Sequence, residues 1–398
     1  MEKVTRNFNV AILFSLSLKG QRSTFRGIVS YAAKHGPWFC HFQEGRTGRR
    51  MLDFSTTGVS GVIVSGVSRG DAPEIAALGV PVVFVEPWEE MLEPDFPIQG
   101  APYVRRDSRA IGAMAARYYL ERGYESFAYV GEPKGYPWSA ERRRGYEEEL
   151  AMKGFACAAY DRFTARDNED WPGERGKLIA FLKDLPKPTA VFAPMDARAR
   201  LVLEACAVGG LRVPEEISVL GVDNDPLLCE STVPTLSSIH TGGFKRGWIA
   251  AEMLDALMHG REPRERAVSL PPISVATRGS TGYAAMSDPI LARAIGYIRA
   301  HASMGAVGVG EVVNAARCSR RYLEKAFRMR LGRTVRDEIM RERIGSVKNL
   351  LAGTDMPIGE VAEVAGFQNY PQLSQLFRKI AGMTMREWRR GNREISDE

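Results

Sequence analysis

The chain is poor in the residues from which metal and redox chemistry is built. Its five histidines are scattered and form no H-E-x-x-H or other clustered metal site. Its five cysteines, Cys40, Cys157, Cys206, Cys229 and Cys318, are odd in number, widely spaced and without a C-x-x-C, so they read as the reduced thiols of a cytosolic protein. No G-x-G-x-x-G follows the first strand candidate and no G-x-x-x-x-G-K-[ST] occurs, which argues against a dinucleotide or nucleoside triphosphate; no cofactor is expected. No stretch approaches the ~18 apolar residues of a membrane span. The first residues, MEKVTRNFNVAILFSLSLKG, place two basic residues before an apolar run. No small-residue cleavage site follows, and a first strand over 9–15 is the better reading.

What the chain does have is size and an uneven charge. Its 398 residues, 44% hydrophobic and 26% charged, suffice for two or three domains with sizeable cores. Residues 288–398 hold 19 Lys+Arg against 13 Asp+Glu, whereas 1–287 hold 35 of each. The whole net charge of +6 therefore sits in the last part of the chain. A basic module on a neutral body suggests a polyanionic partner, or else a solvated basic surface.

Up to about residue 280, β-rich apolar runs alternate with amphipathic helical stretches. Strands are expected over 9–15, 61–67, 81–87, 126–132, 189–195 and 217–223, with helices over 23–34, 108–121, 139–152, 174–184, 196–208 and 244–260. Strands this apolar are buried on both faces, which means parallel sheets covered by helices. The length exceeds one doubly wound unit, so two lobes with a cleft between them are expected, with ligands at the carboxyl ends of the strands. The small polar run GSTGYAAMS (279–287) marks a linker, with the boundary set at 281–287; 288–391 then reads as an all-α domain.

That domain contains a repeat. EVVNAARCSRRYLEKAFRMRLG (311–332) aligns with EVAEVAGFQNYPQLSQLFRKIAG (360–382), each a short helix, a turn and a second helix. Ser319 and Asn369 stand at N-cap positions, Pro371 suits a first helical turn, and Leu323/Phe327 and Leu373/Phe377 form buried i, i+4 stripes. This is helix-turn-helix geometry in duplicate (about 308–329 and about 357–380), in which the second helix enters the DNA major groove. A small bundle of two helical hairpins is the plainer alternative. The outward residues are Arg320, Arg321, Glu324 and Lys325 in one copy and Tyr370, Pro371, Gln372, Ser374 and Gln375 in the other. The second face carries almost no charge; its neutral hydrogen-bonding groups are cheap to desolvate and can read base edges, while Arg321 could reach a guanine. Arg328, Arg378, Lys379, Arg389 and Arg390 would hold phosphates.

Residues 288–390, with IGEVAEVAGF, the LFRK that follows and the terminal EWRR, resemble the DNA-binding domain of AraC-type transcription activators. Met385 stands where that family usually has proline. The resemblance implies a long helix, here about 334–351, joining the two units so that one subunit reaches two successive grooves. In the body, VRRDSRAIG (104–112), SAERRRGY (139–146), PMDARAR (194–200) and ISVLGVDND (217–225) look like the sugar-binding core of the LacI/GalR regulators. Carried over by position, Asp107, Arg142, Asp196 and Asp223 fall on ligand contacts. The chemistry suits a sugar: carboxylates accept from vicinal hydroxyls, arginine donates in a fork, and aromatic rings cover the apolar face. Trp88 and Trp138, expected in loops, are candidates for stacking; Phe14, Arg22 and Glu86 are additional candidates. The plainer readings are N-caps for Asp107 and Asp196 and a surface position for Arg142.

LacI-type regulators place their own helix-turn-helix before the sensor; here the first strand candidate begins at about residue 9, and the reader stands at the other end. The expected fold is an α/β two-lobe, periplasmic-binding-protein-like sensor domain (1–280) plus a C-terminal all-α domain with two helix-turn-helix motifs. The combination resembles the bacterial xylose operon regulators. It implies a cytoplasmic, non-enzymatic transcription activator, a homodimer with promoter DNA, a small sugar (xylose first) and RNA polymerase as partners. Three alternatives stay open: a regulator of another sugar, an α/β sugar-acting enzyme with an accessory helical domain, and a sugar-binding protein whose helices dock another protein.

Overall fold

The computed structural model describes residues 7–16, 19–36, 38–43, 58–133, 136–161, 171–281, 288–302, 307–354, 356–367, 369–381 and 383–392. Most of the expected linker, 282–287, lies outside them.

The chain forms two units. One is built from 1–107 and 242–271, the other from 108–241 and 272–391. In the first, β1 (Phe8–Leu13), α1 (Lys19–His35), β2 (Trp38–Gln43), β3 (Gly61–Val64), α2 (Ala72–Ala76), β4 (Val82–Val85) and β5 (Tyr103–Arg106) alternate as the apolar pattern predicts. The second begins with α3 (Ser108–Leu120), β6 (Phe127–Val130), α4 (Pro137–Ala151), β7 (Cys157–Tyr160) and α5 (Trp171–Asp184). It continues through β8 (Thr189–Phe192), α6 (Asp196–Gly209), β9 (Ile217–Val222), α7 (Pro226–Glu230) and β10 (Ser237–His240). The chain returns to the first unit for α8 (Gly243–Met258) and β11 (Ala267–Leu270), then completes the second with β12 (Ser274–Ala276).

Each lobe has a six-stranded sheet, ordered β11-β5-β4-β3-β1-β2 in the first and β12-β10-β9-β8-β6-β7 in the second. Every pairing is parallel except β10 with β12. The strands β3, β4, β6, β8 and β9 are buried throughout, because helices cover both sheet faces. Helices α3 and α4 pack backbone to backbone at Gly112 and Gly145: a Cβ at Gly112 would overlap the carbonyl oxygen of Arg142. Strand order reverses between β6 and β8, which puts a topological switch point at their carboxyl ends.

The remaining helices are α9 (Pro289–His301), α10 (Val309–Ala316), α11 (Arg320–Leu331), α12 (Val335–Gly353), α13 (Ile358–Val364), α14 (Tyr370–Ala381) and α15 (Met385–Asn392). The long helix α12 belongs to two cores. Val335 and Ile339 pack with Leu291, Ile295, Leu323 and Phe327, whereas Ile344, Val347 and Leu351 pack with Val361, Leu373, Phe377 and Trp388. The second core also takes in Ile273, next to β12, so the helical domain is seated on the second lobe. The expected linker differs at its start: Gly279–Thr281 form a 3₁₀ turn in which Ser280 and Thr281 are buried. Ser280 Oγ donates to the Val219 carbonyl and accepts from Ser237 N–H, so these small polar residues finish the sheet edge.

Candidate functional site

In the second lobe the expected sugar-binding residues gather at the carboxyl ends of β8 and β9. Arg142, on α4, is buried; its guanidinium donates to the Pro194 carbonyl and lies 4.9 Å from the Trp138 ring centroid. It is therefore not a surface helix residue. Trp138 stands in the first turn of α4 rather than in a loop, because Pro137 starts the helix early.

Asp196 departs from the plainer reading of it as an N-cap. It is the first residue of α6 but gives no N-cap, and its carboxylate is buried and bonded within the lobe. Oδ2 accepts from Asp225 N–H at 2.7 Å and Oδ1 accepts from Ser238 Oγ. The Cys229 thiol lies 3.5 Å from Oδ2. Burial, then the Asp223 charge, push the Asp196 carboxyl up to about 7. Asp196 thus shapes the turn after β9. Asp223 is half-buried, holds a positive φ of 101° and accepts from Thr241 Oγ1 at 3.3 Å. A non-glycine residue in that region stores strain, which functional sites commonly hold.

The sequence reading missed one pair here. Arg198 on α6 donates to both oxygens of Glu132 at 3.0 and 2.7 Å, and both side chains are largely buried. Glu132 follows β6 and Arg198 lies just beyond β8, so this fork bridges the switch point. Glu132 closes an apolar strand run, the one signal that could have singled it out.

In the first lobe Glu86, at a positive φ of 52°, receives Arg106 N–H at 2.9 Å, and its Oε1 lies 3.2 Å from Arg246 Nη1. Arg246 is itself buried and donates to Thr24 Oγ1 and the Gly20 carbonyl, so Glu86 joins α8, α1 and β5. Phe14 is a core side chain, 2% exposed and edge-on to Phe42, not an open stacking face. Arg22 donates to the Leu16 carbonyl at 3.0 Å. Asp107 is half-buried at the end of β5, with its N–H on the Leu270 carbonyl. Trp88 remains the most open aromatic of the set, 45% exposed and lying over Gly66.

The second helices of the two helix-turn-helix units match residue by residue. Over the 12 residues of α11 and the 12 of α14 the sequence of exposed, half-buried and buried positions is the same. Leu323, Phe327, Leu373 and Phe377 are fully buried; Arg320, Arg321, Lys325, Arg328, Tyr370, Pro371, Gln372, Gln375, Arg378 and Lys379 are exposed; Glu324 and Ser374 are half-buried. Ser319 Oγ accepts from Tyr322 N–H and Asn369 Oδ1 from Gln372 N–H, which are the expected caps. Lys379 also lines a groove of about 950 Å3 against the second lobe. Arg389 is tied to the Met356 carbonyl rather than presented outward, and the Arg390 side chain lies outside the described residues.

Comparisons with known proteins agree with this architecture. A periplasmic binding protein-like domain family matches residues 116–281, and a helix-turn-helix domain family matches 312–391. The xylose operon regulatory protein of Haemophilus influenzae is 34% identical over 290 residues, covering 72% of this chain and 74% of that protein. The protein of the same name from Escherichia coli (strain K12) is 28% identical over 396 residues, covering 98% and 99%. A solved structure of a xylose-binding transcription activator aligns at a TM-score of 0.61 and 28% identity over 98% of this chain and 99% of that one. With its two-lobe sensor followed by a duplicated helix-turn-helix reader, the chain belongs to the family of xylose operon regulatory proteins.

Proposed function

We propose that this protein is a cytosolic, xylose-responsive transcription activator that binds promoter DNA as a homodimer and works through RNA polymerase. The observation that carries the reading is the matched exposure of α11 and α14, two capped helices that bury one stripe and leave the other face to solvent. Helix α12, 19 residues long, rises about 28 Å, on the order of one DNA turn, so two such helices suit successive major grooves. Arg321 on one and Gln372 and Gln375 on the other have the chemistry of base readers; Arg328 and Arg378 have that of phosphate anchors. Xylose as effector rests on the relatives' names. The carboxylate and guanidinium groups after β8 and β9 are suited to vicinal hydroxyls.

The test is fluorescence anisotropy of the full chain on a duplex it selects from a random pool, with and without D-xylose. Expected are binding that weakens steeply with salt and a change in affinity on adding xylose. Absence of DNA binding at low salt would overturn the reader, and a response to another pentose but not xylose would overturn the choice of sugar.

A further inference from the structure

One short segment of the second lobe touches both the strained turn after β9 and the helical domain. At the turn, Asp223 and Asn224 have φ of 101° and 52°. Asn224 N–H donates to Ser238 Oγ at 2.9 Å, and Asn224 Oδ1 accepts from Arg278 Nη2 at 2.8 Å. Arg278 also donates from Nη1 to the Leu236 carbonyl at 2.9 Å and from its backbone N–H to Ser237 Oγ at 2.7 Å. Four residues earlier, Ser274 Oγ on β12 donates to Asn349 Oδ1 of α12 at 2.8 Å, and Asn349 Nδ2 donates to the Val275 carbonyl at 3.3 Å. Three residues later, the Thr281 carbonyl accepts from Arg299 Nη1 of α9 at 3.2 Å. The segment 274–281 is thus held in its middle by the turn and at both ends by the helical domain.

We propose that Arg278 is the positioning residue that couples sugar binding to the DNA reader. The inference rests on the reading of Asp223 as a sugar contact. A sugar shifts an equilibrium only by its differential affinity for two states, so coupling needs an element with two arrangements. The Asp223–Asn224 turn qualifies because its backbone is strained. Its relaxation on engaging a sugar moves the Asn224 amide, and the Arg278 fork carries that movement into 274–281 and so to α12. Asn349 and Arg299 are the receiving contacts.

The experiment uses the full chain, three single variants chosen to keep the fold, and the double variant Arg278→Met/Asn224→Gly. Arg278→Met keeps the aliphatic stem and removes the fork; Asn224→Gly keeps the left-handed backbone and removes the acceptor. Asn224→Asp keeps an acceptor for Arg278. DNA affinity with and without D-xylose is measured on the selected duplex, and xylose affinity by calorimetry. In the wild type the ratio of DNA affinities is expected at roughly 5–150-fold, the usual span of allosteric coupling. Arg278→Met and Asn224→Gly should each bring it to within about twofold of unity, and the double variant no further, while xylose Kd stays within about threefold. Asn224→Asp should retain the ratio. A wild-type-like ratio in Arg278→Met, or in Asn224→Gly should the first fail to fold, overturns the proposal. So does loss of xylose binding in either, which would make the pair part of the pocket. A wild type that ignores xylose or DNA sinks the functional reading and this inference together; a responsive wild type with responsive variants sinks the inference alone.

Discussion

Asp196 shows how burial and two nearby donors retune a single carboxylate. Asp225 N–H and the Ser238 hydroxyl both point at it inside the lobe, and burial raises its folded pKa to about 7 from 3.8. Between those values the folded protein holds a proton that the unfolded chain has released, so stability falls as pH rises through that window and levels off above it. Asparagine mimics the neutral acid: its oxygen can face Asp225 N–H and its amide can face Ser238 Oγ. Asp196→Asn should therefore unfold in urea near the wild-type midpoint at about pH 4 and above it at about pH 8. A gap that does not widen with pH would contradict this account. Asp196, Asp223 and Arg142 stand in motifs that were legible in sequence, but which of them is buried and bonded within the lobe was not. It depends on which backbone N–H groups β9 and β10 bring within reach of each carboxylate, and parallel register is a long-range property.

At the scale of elements, the two helix-turn-helix units solve one turn with different residues. The turn after α10 uses Arg317 at a φ of 55°, and its counterpart 49 positions on, Gly366, has a φ of 74°. A left-handed conformation costs a Cβ-bearing residue about 1–2 kcal/mol, partly offset by the greater unfolded freedom of glycine. Arg317→Gly should stabilise the protein by about 0.5–1 kcal/mol in thermal or urea melts. The opposite change at the other turn, Gly366→Arg, should destabilise it by at least as much; equal melts would show that the turns are not equivalent. The repeat, its caps and its buried stripes were legible because they are local. The six strongly apolar strands were legible for the same reason. The ones the pattern missed are polar or half-exposed: β10 is SSIH, its serines buried as hydrogen-bond partners, and β11 and β7 are partly open edge strands. Hydrophobic alternation cannot report a strand that is stabilised by its neighbours' polar groups.

At the scale of the whole second unit, Glu342 on α12 joins sensor lobe and reader. It lies 3.3 Å from Arg122, in the turn after α3, and 3.4 Å from Arg299 of α9, and all three side chains are nearly enclosed. Arg122 is further stacked 3.5 Å from the Tyr118 ring centroid, and Arg341 reaches across to Glu121. Burial alone would raise the Glu342 carboxyl, but Arg299, Arg122 and Arg341 outweigh it and hold the group below its usual range. Its contribution is therefore present above the ordinary carboxylate pKa and lost as pH falls through the lowered folded value. Removing one member of a buried ion cluster strands the others, at a typical cost of about 3–5 kcal/mol. Glu342→Gln should lower the calorimetric melting temperature of the full chain. It should also split the transition, because the reader would separate from the second lobe before that lobe unfolds. On the coupling proposed through Arg278, the same variant should also blunt the xylose effect on DNA affinity, since Arg299, which donates to the Thr281 carbonyl, would lose its ionic partner on α12. A variant that melts in one wild-type-like transition would assign the union to the apolar seam around Ile273 instead, and Ile273→Ala would then produce the split.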